Sequence, residues 1–244
     1  MPAESPVPRL ADLRVKIFSD GADLDSIIEA YQGGVVKGFT TNPTLMAKAG
    51  ITNYLAFASE VLRVVTDLPV SFEVFSDDFA SMKEQAGRLA ALAQNVYVKI
   101  PVTNTERRSS VPLIRDLARE GLKLNVTAVF TPAQVREVAA ALSPGVSAIV
   151  SVFAGRIADA GREPVPIMRE CLEILKPLPR AELLWASPRE ALNLLQADAI
   201  GCHIITVTPD LLAKASNFGK GLEDFSLETV KMFYNDAVKS GFRI

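Results

Sequence analysis

Eight short apolar runs, each followed by an amphipathic stretch, constrain this chain more than any other feature. The runs are Val15–Ser19, Val36–Thr40, Val70–Val74, Val96–Ile100, Leu122–Val126, Ala148–Ser151, Leu183–Ala186 and Ile204–Val207. Most are continuous in Val, Ile and Leu rather than alternating, as in strands covered on both faces. Between them, Leu24–Tyr31, Tyr54–Thr66, Phe79–Ala93, Ser110–Glu120, Pro132–Leu142, Val165–Leu175 and Pro188–Leu195 repeat apolar residues at helical spacing. Asp78, Thr131 and Ser187 stand where helix N-caps are needed, and Thr131-Pro132 reads as a helix start. Strands alternating with helices in this number predict an α/β fold, a closed TIM (β/α)8 barrel. An open doubly wound sheet is the rival, attractive only with a nucleotide-binding loop. Neither GxGxxG nor P-loop spacing occurs, and Gly33-Gly34 with Gly38 reads as a helix stop and a turn.

A length of 244 residues suits one barrel. Residues 15–244 are expected to form the barrel domain. It would include a C-terminal helix over Leu227–Val238 that packs under the barrel or reaches a neighbouring subunit. Residues 1–14 are expected to be a flexible leader. The net charge of −2 offers no basic surface for nucleic acid or a membrane. No apolar run approaches a membrane span, and the first ten residues lack the layout of a secretory leader. Cys171 and Cys202 have no CxxC spacing and too few partners for a metal cluster, so they read as reduced thiols of a cytoplasmic protein. Packing roles are expected for His203, the only histidine, and for Trp185.

In a barrel of this kind chemistry sits at the C-terminal strand ends, so the polar residues there matter most. They are Asp20, Thr40 and Asn42, Glu73, Lys99, Asn125 and Thr127, Ser151 with Phe153 and Arg156, and Ser187 with Arg189. Lys99 interrupts an otherwise apolar Val96–Val102 run. Lysine is rarely buried without a partner. Burial disfavours the charged form of an amine and frees it to attack a carbonyl. A strand-end lysine can equally extend to solvent or pair with a carboxylate. Asp20 and Glu73 could move protons around such an amine, or be structural ion-pair partners. Arg156, Ser187 and Arg189 could clamp a phosphate, or lie on the surface.

Five blocks then carry a family likeness: Gly38-Phe-Thr-Thr-Asn-Pro-Thr44, Val98-Lys-Ile-Pro-Val-Thr103, Asn125-Val-Thr-Ala-Val-Phe130, Ser151-Val-Phe-Ala-Gly-Arg-Ile157 and Ala186-Ser-Pro-Arg189. In this order and at these intervals the chain resembles the transaldolases, and most of all the short subfamily that also contains fructose-6-phosphate aldolase. The resemblance implies that Lys99 is a Schiff-base lysine. It implies that Asp20 exchanges a proton with the C4 hydroxyl, and that Glu73 and Thr127 hold a catalytic water. Thr40 and Asn42 would line the dihydroxyacetone pocket, and Asn125 and Ser151 would contact further hydroxyls. Arg156, Ser187 and Arg189 would bind phosphate, and Phe153 would shield the pocket. Pro188 departs from the family's usual residue.

Within the resemblance, aldolases carry glutamine at the position of Glu73 and tyrosine at that of Phe153. This chain has the transferase residue at both. The expected activity is therefore transfer of a dihydroxyacetone unit between sugar phosphates, with no cofactor and no metal. A dihydroxyacetone-dependent aldolase is the alternative, and a non-catalytic sugar-phosphate binder a remote one. The partners implied are sugar-phosphate substrates and further copies of the chain, in pentamers or decamers joined by the C-terminal helix.

Overall fold

Apolar runs flanked by helices bury both faces only when the sheet closes on itself, and the chain does this. The computed structural model describes residues 7–243. Its strands are β1 (Lys16–Asp20), β2 (Phe39–Thr40), β3 (Val70–Glu73), β4 (Val96–Pro101), β5 (Leu124–Val129), β6 (Ala148–Val152), β7 (Ala181–Trp185) and β8 (Ile204–Val207). They pair in sequence order, all parallel, and β8 returns to β1 with Lys16 opposite Ile204. The helices are α1 (Leu24–Gln32), α2 (Pro43–Lys48), α3 (Tyr54–Val64), α4 (Phe79–Ala90), α5 (Val111–Arg119), α6 (Pro132–Ala139), α7 (Ala154–Asp159), α8 (Pro164–Leu175), α9 (Leu192–Ala199), α10 (Pro209–Ala213) and α11 (Leu222–Ser240). The expected TIM barrel with its C-terminal helix is thus the fold observed.

Strand side chains alternate between two cores. Outward residues such as Val98, Val126, Val150, Leu183 and Ile205 pack with Ile114, Leu117, Met168 and Leu194 of the helices. Inward residues Phe18, Ile149, Leu184 and Ile204 plug the barrel, with Tyr97 and Phe153 against them. Gly38 makes that plug possible, because a Cβ there would lie 2.5 Å from the Phe18 ring. Above the plug the same inward parity brings Asp20, Thr40, Glu73, Lys99, Ser151 and Thr206 to one level. That level is the floor of the site.

Several local expectations need correction. Strand β2 is two residues long, Phe39–Thr40, although Lys37 N already donates to the Ile17 carbonyl at 2.7 Å and the Gly38 carbonyl accepts from Ser19 N at 3.0 Å. Strand β5 begins at Leu124 and extends to Val129, past a register shift between Val126 and Val129 where Ala128 has φ 57°. Asp78 and Thr131 cap α4 and α6 as anticipated, accepting from Ser81 N and Gln134 N. Ser187 caps nothing. It sits in the left-handed region at φ 59°, and the α9 helix begins only at Leu192. The Asn193 side chain instead accepts from the Arg189 and Glu190 amides.

Residues 1–6 of the anticipated leader lie outside the described residues. Leu10–Asp12 form a 3-10 turn, and Leu10 and Leu13 pack against the core. His203 accepts from Leu183 N through Nδ1 at 3.0 Å, Trp185 is fully buried, and both thiols are buried and unpaired. No described helix is long and apolar enough to cross a membrane. Helix α11 carries no buried residue, and it exposes Phe225, Leu227, Val230, Met232, Phe233, Tyr234 and Val238.

Candidate active site

Strand register explains how a few polar residues meet at the C-terminal mouth. Glu73 of β3 lies beside Lys99 of β4, and Lys99 lies beside Asn125 of β5. Asp20 of β1 lies beside Thr40 of β2, which lies beside Ser71 of β3. Register neighbours in a parallel sheet point the same way, so each row converges inside the barrel. A cavity of about 630 Å³ opens above them. Of the residues expected in the site, Asp20, Thr40, Asn42, Glu73, Lys99, Thr127, Ser151, Phe153, Arg156, Ser187 and Arg189 line it.

Asn125 does not reach the cavity surface. It is fully buried, donates to Ser71 Oγ at 3.1 Å, and accepts from Ser151 Oγ at 2.7 Å. It therefore holds the Ser151 hydroxyl from behind. Thr127, 2 % exposed, follows on the same strand within the register shift between Val126 and Val129.

Lys99 is 6 % exposed. Its Nζ donates to the Thr41 carbonyl at 2.7 Å and lies 2.9 Å from Glu73 Oε2. Both acceptors are built into the barrel wall, so the amine is held at one point on the cavity floor. Thr41 is in turn fastened to β3, donating through Oγ1 to the Ser71 carbonyl at 3.1 Å. A carboxylate touching the amine is an acceptor for its proton when nitrogen becomes a nucleophile.

Asp20 is the second titratable group of the floor. Burial pushes its carboxyl above the ordinary range, against the pull of the Lys99 charge and of the Thr40 hydroxyl, and nearby Glu73 pushes the same way as burial. Thr40 Oγ1 donates to Asp20 Oδ1 at 2.7 Å, and Thr206 Oγ1 lies 2.6 Å from Thr40 Oγ1. A hydroxyl has one proton. With that of Thr40 on Asp20, Thr206 is the donor in the second bond. The three groups form a short chain that ends on the carboxylate.

The basic end of the cavity is built from α7 and the loop after β7. Arg156 stands over the Phe153 ring, 5.5 Å from its centre. Arg189 pairs with Asp159 through Nε at 2.9 Å and through Nη2. This contact holds Asp159 below its usual carboxylate range. Because Asp159 engages the Nε side of the guanidinium, Nη1 remains for an anion in the cavity. Gly155 makes the junction of α7 with this loop: a Cβ there would lie 1.6 Å from the Ser187 carbonyl oxygen.

Sequence reasoning missed Thr206, Lys48 and Thr208, which also line the cavity. Thr206 had a legible signal, since it shares inward parity with Ile204 in β8. Lys48 and Thr208 had none, because α2 and α10 are too short to give a helical period. Among the described residues no cluster of His, Cys, Asp and Glu could hold a metal ion.

The family model described as Transaldolase/Fructose-6-phosphate aldolase matches residues 17–244. A probable transaldolase of a Thermoanaerobacter species is 34% identical over 231 residues, covering 94% of this chain and 100% of that one. A probable transaldolase of Syntrophobacter fumaroxidans is 37% identical over 196 residues, covering 79% of this chain and 85% of that one. Among solved structures, a phosphonomutase candidate from Burkholderia cenocepacia superposes with a TM-score of 0.57 at 13% identity, covering 89% of this chain and 94% of that one; this likeness concerns the fold alone. The chain belongs to the transaldolase/fructose-6-phosphate aldolase family.

Proposed function

We propose that this protein is a transaldolase that moves a dihydroxyacetone unit from a ketose phosphate to an aldose phosphate through a Schiff base on Lys99. One observation carries the reading: a buried amine fixed between Glu73 Oε2 and the Thr41 carbonyl, on the floor of an open cavity beside a carboxyl with a raised pKa. Nζ of Lys99 adds to the C2 ketone of the donor, and loss of water gives the iminium. Asp20 takes the C4 hydroxyl proton. The C3–C4 bond breaks, its electrons pass into the iminium, and an aldose phosphate leaves. The enamine then adds through C3 to the aldehyde carbon of a second aldose phosphate, and Asp20 returns its proton to the new C4 oxygen. Water releases the product ketose and the free amine.

Burial suits Asp20 to its role as base, because a carboxylate whose pKa is raised takes up the C4 hydroxyl proton more readily than a fully exposed one and holds it until the new C4 oxygen forms. Glu73, with Thr127 nearby on the cavity wall, is placed to handle the water lost and regained. Arg156, Ser187 and Arg189 supply donors for the phosphate, Asn42 an amide for a sugar hydroxyl, and Ser151, whose own proton is on Asn125, an acceptor for another. Phe153 has no hydroxyl with which to protonate the enamine, which supports transfer over free aldol cleavage.

The test is to supply sedoheptulose 7-phosphate with glyceraldehyde 3-phosphate and measure ketose and aldose products. Rapid release of free dihydroxyacetone from fructose 6-phosphate with no acceptor present would instead assign the aldolase reaction. We further propose a homo-oligomer, pentamer or decamer, in which α11 packs on a neighbouring subunit. The support is a helix whose apolar side chains find no cover on their own barrel. A monomer by light scattering would refute this.

A further inference from the structure

The pairing of β2 with β3 stops one rung early, beside the active lysine. Thr41 N donates to the Ser71 carbonyl at 3.1 Å, and the last paired residues are Thr40 and Ser71. In a parallel ladder the next bond in this register runs from Glu73 N to the Thr41 carbonyl. That bond is absent. The Thr41 carbonyl accepts from Lys99 Nζ at 2.7 Å instead. The Glu73 amide donates to the hydroxyl of Tyr54 at 2.8 Å, and the same hydroxyl donates to the Glu73 carbonyl at 2.9 Å. Tyr54 comes from the first turn of α3, held by the Asn53 cap, and its ring packs edge-on against Phe72 and Phe75.

We infer that Tyr54 is a positioning residue for the Lys99 amine: its hydroxyl fills the missing rung and so leaves the Thr41 carbonyl to Lys99. The argument is an accounting of backbone groups. A buried N–H must find an acceptor. Without the tyrosine oxygen the nearest acceptor in register for Glu73 N is the Thr41 carbonyl, which would then be shared with or lost to Lys99. Closing that rung would also move the Glu73 backbone toward β2, and its carboxylate with it. One hydroxyl therefore sets both contacts of the amine. Hydroxyl loss is felt at the floor of the site although Tyr54 is not among the residues lining the cavity.

This inference rests on the reading of Lys99 as the Schiff-base lysine. Its test compares the wild type with Tyr54→Phe and with Phe75→Leu, which loosens the same aromatic packing but keeps the hydroxyl. Each protein is mixed with sedoheptulose 7-phosphate and quenched with borohydride over time and across pH, and the adduct on the Lys99 peptide is measured. Tyr54→Phe is expected to slow adduct formation about ten- to a hundredfold, as for a nucleophile displaced from its attack geometry, with KM near the wild-type value. The acid limb of its pH profile moves to lower pH, because the ammonium form has lost an acceptor. Phe75→Leu keeps the wild-type rate and profile. The position of the limb does not depend on how much of a variant is folded, so partial unfolding leaves the comparison decisive. A Tyr54→Phe protein with the wild-type rate, or with a slower rate and an unmoved limb, overturns the inference. Absence of any Lys99 adduct in the wild type overturns the proposed function as well, whereas equal adduct formation in wild type and Tyr54→Phe overturns this inference alone.

Discussion

Replacing Gly155 by alanine tests how the basic end of the cavity is assembled. The added Cβ would lie 1.6 Å from the Ser187 carbonyl oxygen and 2.7 Å from its carbonyl carbon. Opening that gap to a tolerable 3.0 Å requires α7 and the loop after β7 to part by at least about 1.4 Å. The loop has little freedom to yield. Ser187 already holds φ 59°, the ring of Pro188 follows it, and Gly155 N is tied to the Ala186 carbonyl at 3.3 Å. Overpacking of this kind costs about 1–3 kcal/mol. For a domain of this size that lowers the melting temperature by roughly 2–12 °C. Arg156 and Asp159 move with α7 while Arg189 stays with the loop, so both the arginine spacing and the Asp159 contact are lost. A displacement above 1 Å can cost about a hundredfold in rate. We therefore expect kcat/KM to fall about a hundredfold for fructose 6-phosphate, and far less for unphosphorylated fructose. Borohydride trapping of dihydroxyacetone on Lys99 should survive. A Gly155→Ala protein with unchanged melting temperature and unchanged selectivity for the phosphorylated donor would refute the reasoning.

Three further outcomes follow from the same contacts. Thr206→Val removes the donor that polarises Thr40, weakening the bond that favours the Asp20 carboxylate. The acid limb of kcat should move to higher pH and Thr206→Ser should restore it, and an unmoved limb would count against the hydroxyl chain. Asp20 has a folded-state pKa above its unfolded value, so the folded state binds that proton more tightly. Its stabilising contribution is therefore present at acid pH and lost as pH rises through the interval between the two values. Scanning calorimetry should find Asp20→Asn inactive but higher-melting than the wild type at neutral pH, with the gap closing near the ordinary carboxylate range; a constant gap would contradict the sign. Ending the chain at Gly221 removes α11 and should convert the proposed oligomer to smaller species by light scattering, whereas an unchanged mass would place the interface elsewhere.

Long-range order was legible in this chain because the barrel repeats one simple signal. Each strand is a Val- and Ile-rich run, and each helix shows a 3.6-residue period. Polar side chains that break those runs mark residues that line the cavity, and Asp20, Glu73, Lys99 and Ser151 reach it through their inward parity. What stayed hidden lies in short or irregular backbone. Helices α2, α7 and α10 have five or six residues, too few to show a period. Ser187 was misread as a cap because serine is a good N-cap residue, and nothing local reveals the left-handed turn forced by the approach of Gly155. The early end of β2 was illegible as well. It depends on a tyrosine from the next-but-one helix, which joins the strand only in three dimensions.

The central claim is that the Lys99 amine is the nucleophile. Fructose 6-phosphate and borohydride should add one reduced dihydroxyacetone unit to the peptide containing Lys99, as read by mass spectrometry, and Lys99→Met should abolish both the adduct and turnover. An adduct on any other lysine, or turnover retained in Lys99→Met, would contradict it.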